Sequence, residues 1–112
     1  MELGKRPEIP PGTLYVLILK SLARLGPMHG YGIAQHVHHI SDDVLQVEEG
    51  SLYPALQRML IKGWVVAEWN QSENNRRARY YRLTPEGRKQ LAHEIRKFER
   101  AMAAIIRVIQ PA

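Results

Sequence analysis

Between Ser51 and Trp64 the apolar residues fall on one side of a helix: Leu52, Ala55, Leu56, Met59 and Leu60 recur at i, i+3, i+4, i+7 and i+8. Ser51, Tyr53, Pro54, Gln57 and Arg58 take the other side, and Gly63 is a helix stop. The pattern predicts a helix over 50–62 with a buried stripe and a polar outer face. Pro54 is expected in its first turn, where a missing N–H is tolerated. Upstream, Leu14, Leu17, Ile18 and Leu22 predict a helix capped by Thr13, running to about Leu25 and closed by Gly26 and Pro27. Ile33 and Val37 form the inward pair of a second helix over about 31–39. A connector follows, with room for a short strand over 45–47.

The period then changes. Trp64, Val65, Val66 and Trp69 give residues 64–69 the composition of a strand, and Tyr80 and Tyr81 do the same for 79–83. The polar, turn-forming stretch 71–75 joins them into a hairpin with an arginine-rich tip. Thr84 is an N-cap, Pro85 an N1 proline and Glu86 suits the positive end of the next helix. Along that helix Leu91, Ile95, Phe98, Met102, Ile105 and Ile109 alternate spacings of four and three, which is a heptad seam. So short a seam must pack on something, either the first helix or a second copy, and its regularity favours a two-fold partner. The expected fold class is mainly α with a small β-hairpin. A winged helix-turn-helix domain would span 1–83, with a flexible arm over 1–11 containing Gly4, Pro7, Pro10 and Pro11, and a C-terminal dimerisation helix would span 84–112.

A chain of 112 residues suffices for one modest core. The longest apolar run, 14–19, is far short of the ~20 residues of a membrane span, and no secretory leader pattern opens the chain. A cytoplasmic protein without a membrane partner is therefore expected. With no cysteine there is no thiolate nucleophile or cysteine-based metal site. No phosphate loop, nucleophile elbow or paired histidine–glutamate motif is present, so no enzyme is expected. Four histidines (His29, His36, His38 and His39) cluster, but a metal site needs three or four converging ligands and only His36 and His39 share a face at i, i+3. Neither metal nor cofactor is expected.

Charge changes the picture more. The formal net charge is +5, and its distribution is uneven: residues 70–90 hold six cations (Arg76, Arg77, Arg79, Arg82, Arg88, Lys89) against Glu73 and Glu86. Concentrated positive charge is the footprint of phosphate binding. Beside it, the outer face of the 50–62 helix offers what a major-groove reader needs. Gln57 can pair bidentately with adenine, Ser51 and Tyr53 can reach phosphates or base edges, and Arg58 and Lys62 can hold backbone phosphates. Arg76, Arg77 and Arg79 would track the flanking backbone or enter an adjacent minor groove. The bland alternative is a solvated helix face and hairpin tip. Tyr53 beside Pro54 fits it poorly, because neither suits an exposed helix interior.

Five segments carry a resemblance: Gly12-Thr13-Leu14, Met28-His29-Gly30-Tyr31, Gly50-Ser51-Leu52-Tyr53-Pro54-Ala55-Leu56, Gly63-Trp64, and Arg79-Tyr80-Tyr81-Arg82-Leu83-Thr84-Pro85-Glu86-Gly87. With these the chain resembles the PadR family of bacterial transcriptional regulators over roughly 12–109. The resemblance implies an N-terminal winged helix-turn-helix and a C-terminal dimerising helix, here of the short subgroup with a single such helix. It implies a homodimeric repressor of a pseudo-palindromic double-stranded operator, and it adds His29 and Tyr31 to the expected DNA contacts. Some members are relieved by small aromatic or hydrophobic effectors, so a small-molecule effector is a further expectation, its residues unknown. Some bind flat aromatic drugs between tryptophans of the dimerisation helix. This chain has no tryptophan after Trp69, so that mode does not carry over. A pocket between protomers could instead use Trp69 with Phe98. The competing reading is a winged-helix adaptor that binds protein and no DNA.

Overall fold

A computed structural model describes residues 9, 12–71 and 74–111. The expected arm over 1–11 lies, apart from Ile9, outside them, as do Ser72 and Glu73 of the hairpin turn. The element order is α1 (Leu14–Leu25), β1 (Met28–His29), α2 (Gly30–Ile40), α3 (Glu49–Ile61), β2 (Val65–Gln71), β3 (Arg77–Leu83) and α4 (Pro85–Ile109). The strands form one antiparallel sheet in the order β1-β3-β2. One core joins the layers: Ile18, Leu19 and Leu22 of α1, Ile33 and Val37 of α2, Leu52, Ala55, Leu56 and Met59 of α3, and Val65, Tyr81 and Leu83 of the sheet. A fully buried leucine or isoleucine here stabilises by about 1.5–3 kcal/mol. The helical stripes read from the 3.6-residue period supply most of this core, with Leu14, Leu17 and Leu60 only partly buried at its edge and Leu19, outside the expected stripe, fully buried.

Four local expectations need correction. No strand forms over 45–47. Asp42 and Asp43 both adopt positive φ (53° and 64°), and the Leu45 N–H donates to the Ser41 hydroxyl (2.9 Å) rather than to a ladder. His38 Nδ1 donates to the Leu45 carbonyl (3.2 Å), and Val47 is buried, so the connector is pinned as a loop. The edge of β3 is taken by Met28 and His29, opposite Tyr81 and Tyr80. Pro54 is the sixth residue of α3, not a first-turn residue, because the helix already starts at Glu49. Lacking an N–H, it cannot make the helical i→i−4 bond to the Gly50 carbonyl. Thr13 closes α1 through its carbonyl, which accepts from Leu17 N–H (3.2 Å), and its side chain makes no capping bond. The hairpin is longer than expected: β2 runs to Gln71 and β3 starts at Arg77, so Arg77 and Arg79 lie in a strand and not at the tip.

α4 is fixed at its base. The Thr84 hydroxyl accepts from Gly87 N–H (3.0 Å) and donates to the Gly63 carbonyl (2.6 Å), while Thr84 N–H donates to the Trp64 carbonyl (3.1 Å). A Cβ at Gly87 would come within 2.0 Å of that Trp64 oxygen, so only glycine fits. These contacts tie the first turn of α4 to the chain leaving α3. Leu91 is buried in the protomer's own core, with Ile95 packed against it; from Phe98 onward the seam emerges. Phe98, Ile105 and Ile109 are exposed, and so are Ile106 and Val108. Among the described residues no helix is long and apolar enough to cross a membrane.

Candidate nucleic-acid interface

α3 turns Ser51, Tyr53, Pro54, Gln57 and Arg58 outward because Leu52, Ala55, Leu56 and Met59 take the buried side. Tyr53 is 45% exposed and does not simply project. Its ring lies against the first residue of α2, where a Cβ on Gly30 would come 2.7 Å from the ring. Glycine at position 30 therefore sets where the phenol sits. Burial raises the Tyr53 pKa above its ordinary value of 10.0, with Glu49 and then Tyr81 adding to the shift. A phenol held neutral is a hydrogen-bond donor at neutral pH.

The hairpin supplies the opposite wall. Trp69 pairs in register with Arg79, and Gln71 with Arg77. The two-residue period puts these four on the same face as Val65, Tyr81 and Leu83, which reach the core. The arginines consequently project over the space between hairpin and α3 and not away from the fold. The Arg77 guanidinium lies 5.2 Å from the Trp69 ring centre and that of Arg79 5.9 Å from the Tyr81 ring. Arg82 alternates onto the other face.

α2 closes the end. His29 caps this helix, its Nδ1 accepting from Gly32 N–H (3.0 Å), which leaves the proton of the neutral ring on Nε2. Its ring meets Tyr80 edge-on at 5.3 Å. Tyr31 is exposed, and its hydroxyl accepts from Gln35 Nε2 (3.2 Å). His29, Tyr31, Gln35, Tyr53, Trp69, Asn74, Arg76, Arg77 and Arg79 all border one groove of about 810 Å³.

Of the expected contact residues, His29, Tyr31, Tyr53, Arg76, Arg77 and Arg79 share this groove, while Ser51, Pro54, Gln57, Arg58 and Lys62 are exposed along α3 and at its C-terminal end. Arg58 is tethered: its Nε donates to the Tyr15 hydroxyl on α1 (2.6 Å). Lys62 Nζ lies 5.4 Å from the Trp64 ring centre. Gln35, Asn74 and Tyr15 were not anticipated. Gln35 stands one turn after Tyr31, a spacing that could have flagged it, whereas nothing in the sequence links Tyr15 to a residue 43 positions away. Chemically, guanidiniums on one wall and hydrogen-bonding side chains on the other suit an anionic ligand with readable edges. Among the described residues no three histidines or carboxylates gather to hold a metal, and His38 is engaged with Leu45 and with Asp43 (3.2 Å).

The family model of the PadR-like transcriptional regulators matches residues 18–93, more than half of the chain and all of the groove. The chain belongs to this family. PadR-family regulators are non-enzymatic transcription factors, and this protein is a transcriptional regulator. Among solved structures it is similar to a transcriptional regulator from Clostridium thermocellum (26% identity, 88% of this chain and 95% of that one, TM-score 0.79). It is likewise similar to a PadR-family transcriptional regulator from Eggerthella lenta (25% identity, 90% and 85% covered, TM-score 0.72). An uncharacterized protein from Lysinibacillus sphaericus is 26% identical over 93 residues, covering 83% of this chain and 84% of its own.

Proposed function

We propose that this PadR-family regulator is a cytoplasmic homodimer that binds duplex DNA and represses transcription by occluding a promoter. The observation that carries the reading is the groove: the arginine face of the hairpin borders the same space as Tyr53, and the rest of the polar face of α3 continues from Tyr53 along the exposed side of the helix. An α-helix about 10–12 Å across fits a major groove about 12 Å wide. In the proposed complex α3 enters that groove, Gln57 reads a base edge, and Ser51 and the Tyr53 phenol donate to base or phosphate oxygens, with Pro54 in contact beside them. Arg58 and Lys62 hold phosphates along the helix. Arg76, Arg77 and Arg79 follow the flanking backbone, and His29 and Tyr31 meet it from the start of α2.

The reading unit spans 1–83 and the doubling helix 84–112. Exposed Phe98, Ile105 and Ile109, with half-buried Met102 between them, make a seam that a second copy would cover; Leu91 and Ile95 stay with their own core. A two-fold axis through α4 would space two α3 helices for half-sites about 10 bp apart in a pseudo-palindrome. A small-molecule effector that prefers one dimer geometry would change that spacing and release the DNA. The test is a gel shift with DNA from upstream of the protein's own gene. Retardation that survives excess unrelated competitor supports the reading, and none at micromolar protein contradicts it.

A further inference from the structure

α4 carries a second basic surface that shares no residue with the groove. Lys89, His93, Arg96, Arg100 and Arg107 recur at i, i+4, i+7, i+11 and i+18, which is a single line along a helix. All are exposed, and the last four border one shallow trough with Ala103 and Ala104. At 100° per residue this line lies about half a turn from Leu91, Phe98 and Met102, so covering the apolar seam leaves it open. Lys89 pairs with Glu86 (3.6 Å) and neighbouring Lys97 approaches Glu94 (4.0 Å), but among the described residues no carboxylate pairs with Arg96, Arg100 or Arg107.

Three unpaired guanidiniums fixed in line by a rigid helix repel one another until an anion with repeated charges lies along them. Guanidinium suits phosphate, which it can grip with two parallel N–H bonds. From Lys89 to Arg107 the line covers about 27 Å at 1.5 Å per residue, which is the axial rise of roughly eight base pairs. A lipid surface fits less well, because a membrane-lying helix buries the apolar face opposite its basic one, and on α4 that opposite face begins in the chain's own core at Leu91 and Ile95 and continues as the seam proposed for a second copy. An acidic protein fits less well too, since a stable interface needs aromatic or aliphatic anchors and the trough offers alanine. We propose that this line is a second, sequence-independent site for the phosphate backbone of duplex DNA. The regulator can thereby hold a second DNA segment besides the one in its groove.

That it is a second site rests on the groove's proposed reading as a DNA site, and the test separates the two. A groove variant (Arg76→Ala, Arg77→Ala, Arg79→Ala) is titrated against a 30-bp duplex of arbitrary sequence over a salt series, alone and with Arg96→Gln, Arg100→Gln and Arg107→Gln added. The groove variant should still bind. The added changes should reduce the log–log salt slope by about 2.7, so that a fourfold rise in salt weakens the groove variant about 40-fold more than the combined one. Lysine at the same three positions should restore most of the slope, and circular dichroism should report equal helix content throughout. No duplex binding by the groove variant, equal binding with and without the three guanidiniums, or retention on phosphatidylserine vesicles in place of duplex would overturn the proposal. Failure of the groove reading appears elsewhere, as equal binding of wild type and groove variant to the protein's own promoter DNA.

Discussion

Tyr53 is positioned by Gly30, a residue with no side chain of its own. Its ring occupies the space where Gly30 lacks a side chain, so Gly30→Ala should push the ring outward, lower stability by about 1–3 kcal/mol through overpacking, and weaken DNA binding. Denaturant titration beside a binding assay checks both effects. Gln57 has no such structural duty. Gln57→Ala should leave the unfolding midpoint in place and cost about 1–3 kcal/mol of specific binding, relaxing discrimination at one base position. The Tyr53 pKa adds a pH signature. Because folding raises it above 10.0, the fold favours the neutral phenol; that stabilisation is complete below the unfolded value and disappears as pH rises through the folded one. As pH rises above 10.0 the wild type should therefore lose more stability than Tyr53→Phe, and parallel curves would show that the shift has no thermodynamic weight.

At the scale of elements, the junction of α3, β2 and α4 is held by several contacts at once. The Thr84 hydroxyl and N–H bind the Gly63 and Trp64 carbonyls, and Gly87 sits against the latter. Gly87→Ala should shift that junction, with a loss of stability read by thermal or denaturant unfolding and a larger loss of DNA affinity than an equally destabilising core change such as Leu22→Ala. Helices with a strong period are readable from sequence: α3 and α4 follow from residue spacing, and the two long strands follow, with shorter bounds, from their β-branched and aromatic composition. The misses have physical causes. β1 is two residues inside a bend bounded by Pro27 and Gly30, too short to show alternation. The strand expected over 45–47 lost to consecutive left-handed aspartates, a backbone choice that composition does not reveal. Composition marks a strand only from residue 79, which leaves Arg77 at the hairpin tip and Arg79 beside it; only the β2–β3 register turns both toward α3. The groove itself was legible as a list of residues, but its closure by Gln35 and Asn74 and the Tyr15–Arg58 bond depend on tertiary geometry alone.

For the whole molecule, the proposed function rests on doubling, because one reading helix alone would bind DNA weakly. Val108 is 83% and Ile109 72% exposed, apolar surface that one protomer does not cover. Ile105→Glu should produce a monomer in sedimentation and reduce operator affinity while leaving the protomer's own core intact; a persisting dimer would reject the α4 seam. Electrostatics act at the same scale. Removing the Arg76 and Arg77 guanidiniums should lower affinity for every sequence and reduce the log–log salt slope by about 2. The decisive titration sets a labelled duplex from upstream of the protein's own gene beside a scrambled duplex of equal composition. If α3 reads sequence, the protein should hold the first at least ~10³-fold more tightly at physiological salt, with the preference reduced by Gln57→Ala. Equal affinity for the two duplexes, or a preference that survives loss of Gln57 and Tyr53 unchanged, would contradict sequence reading by α3.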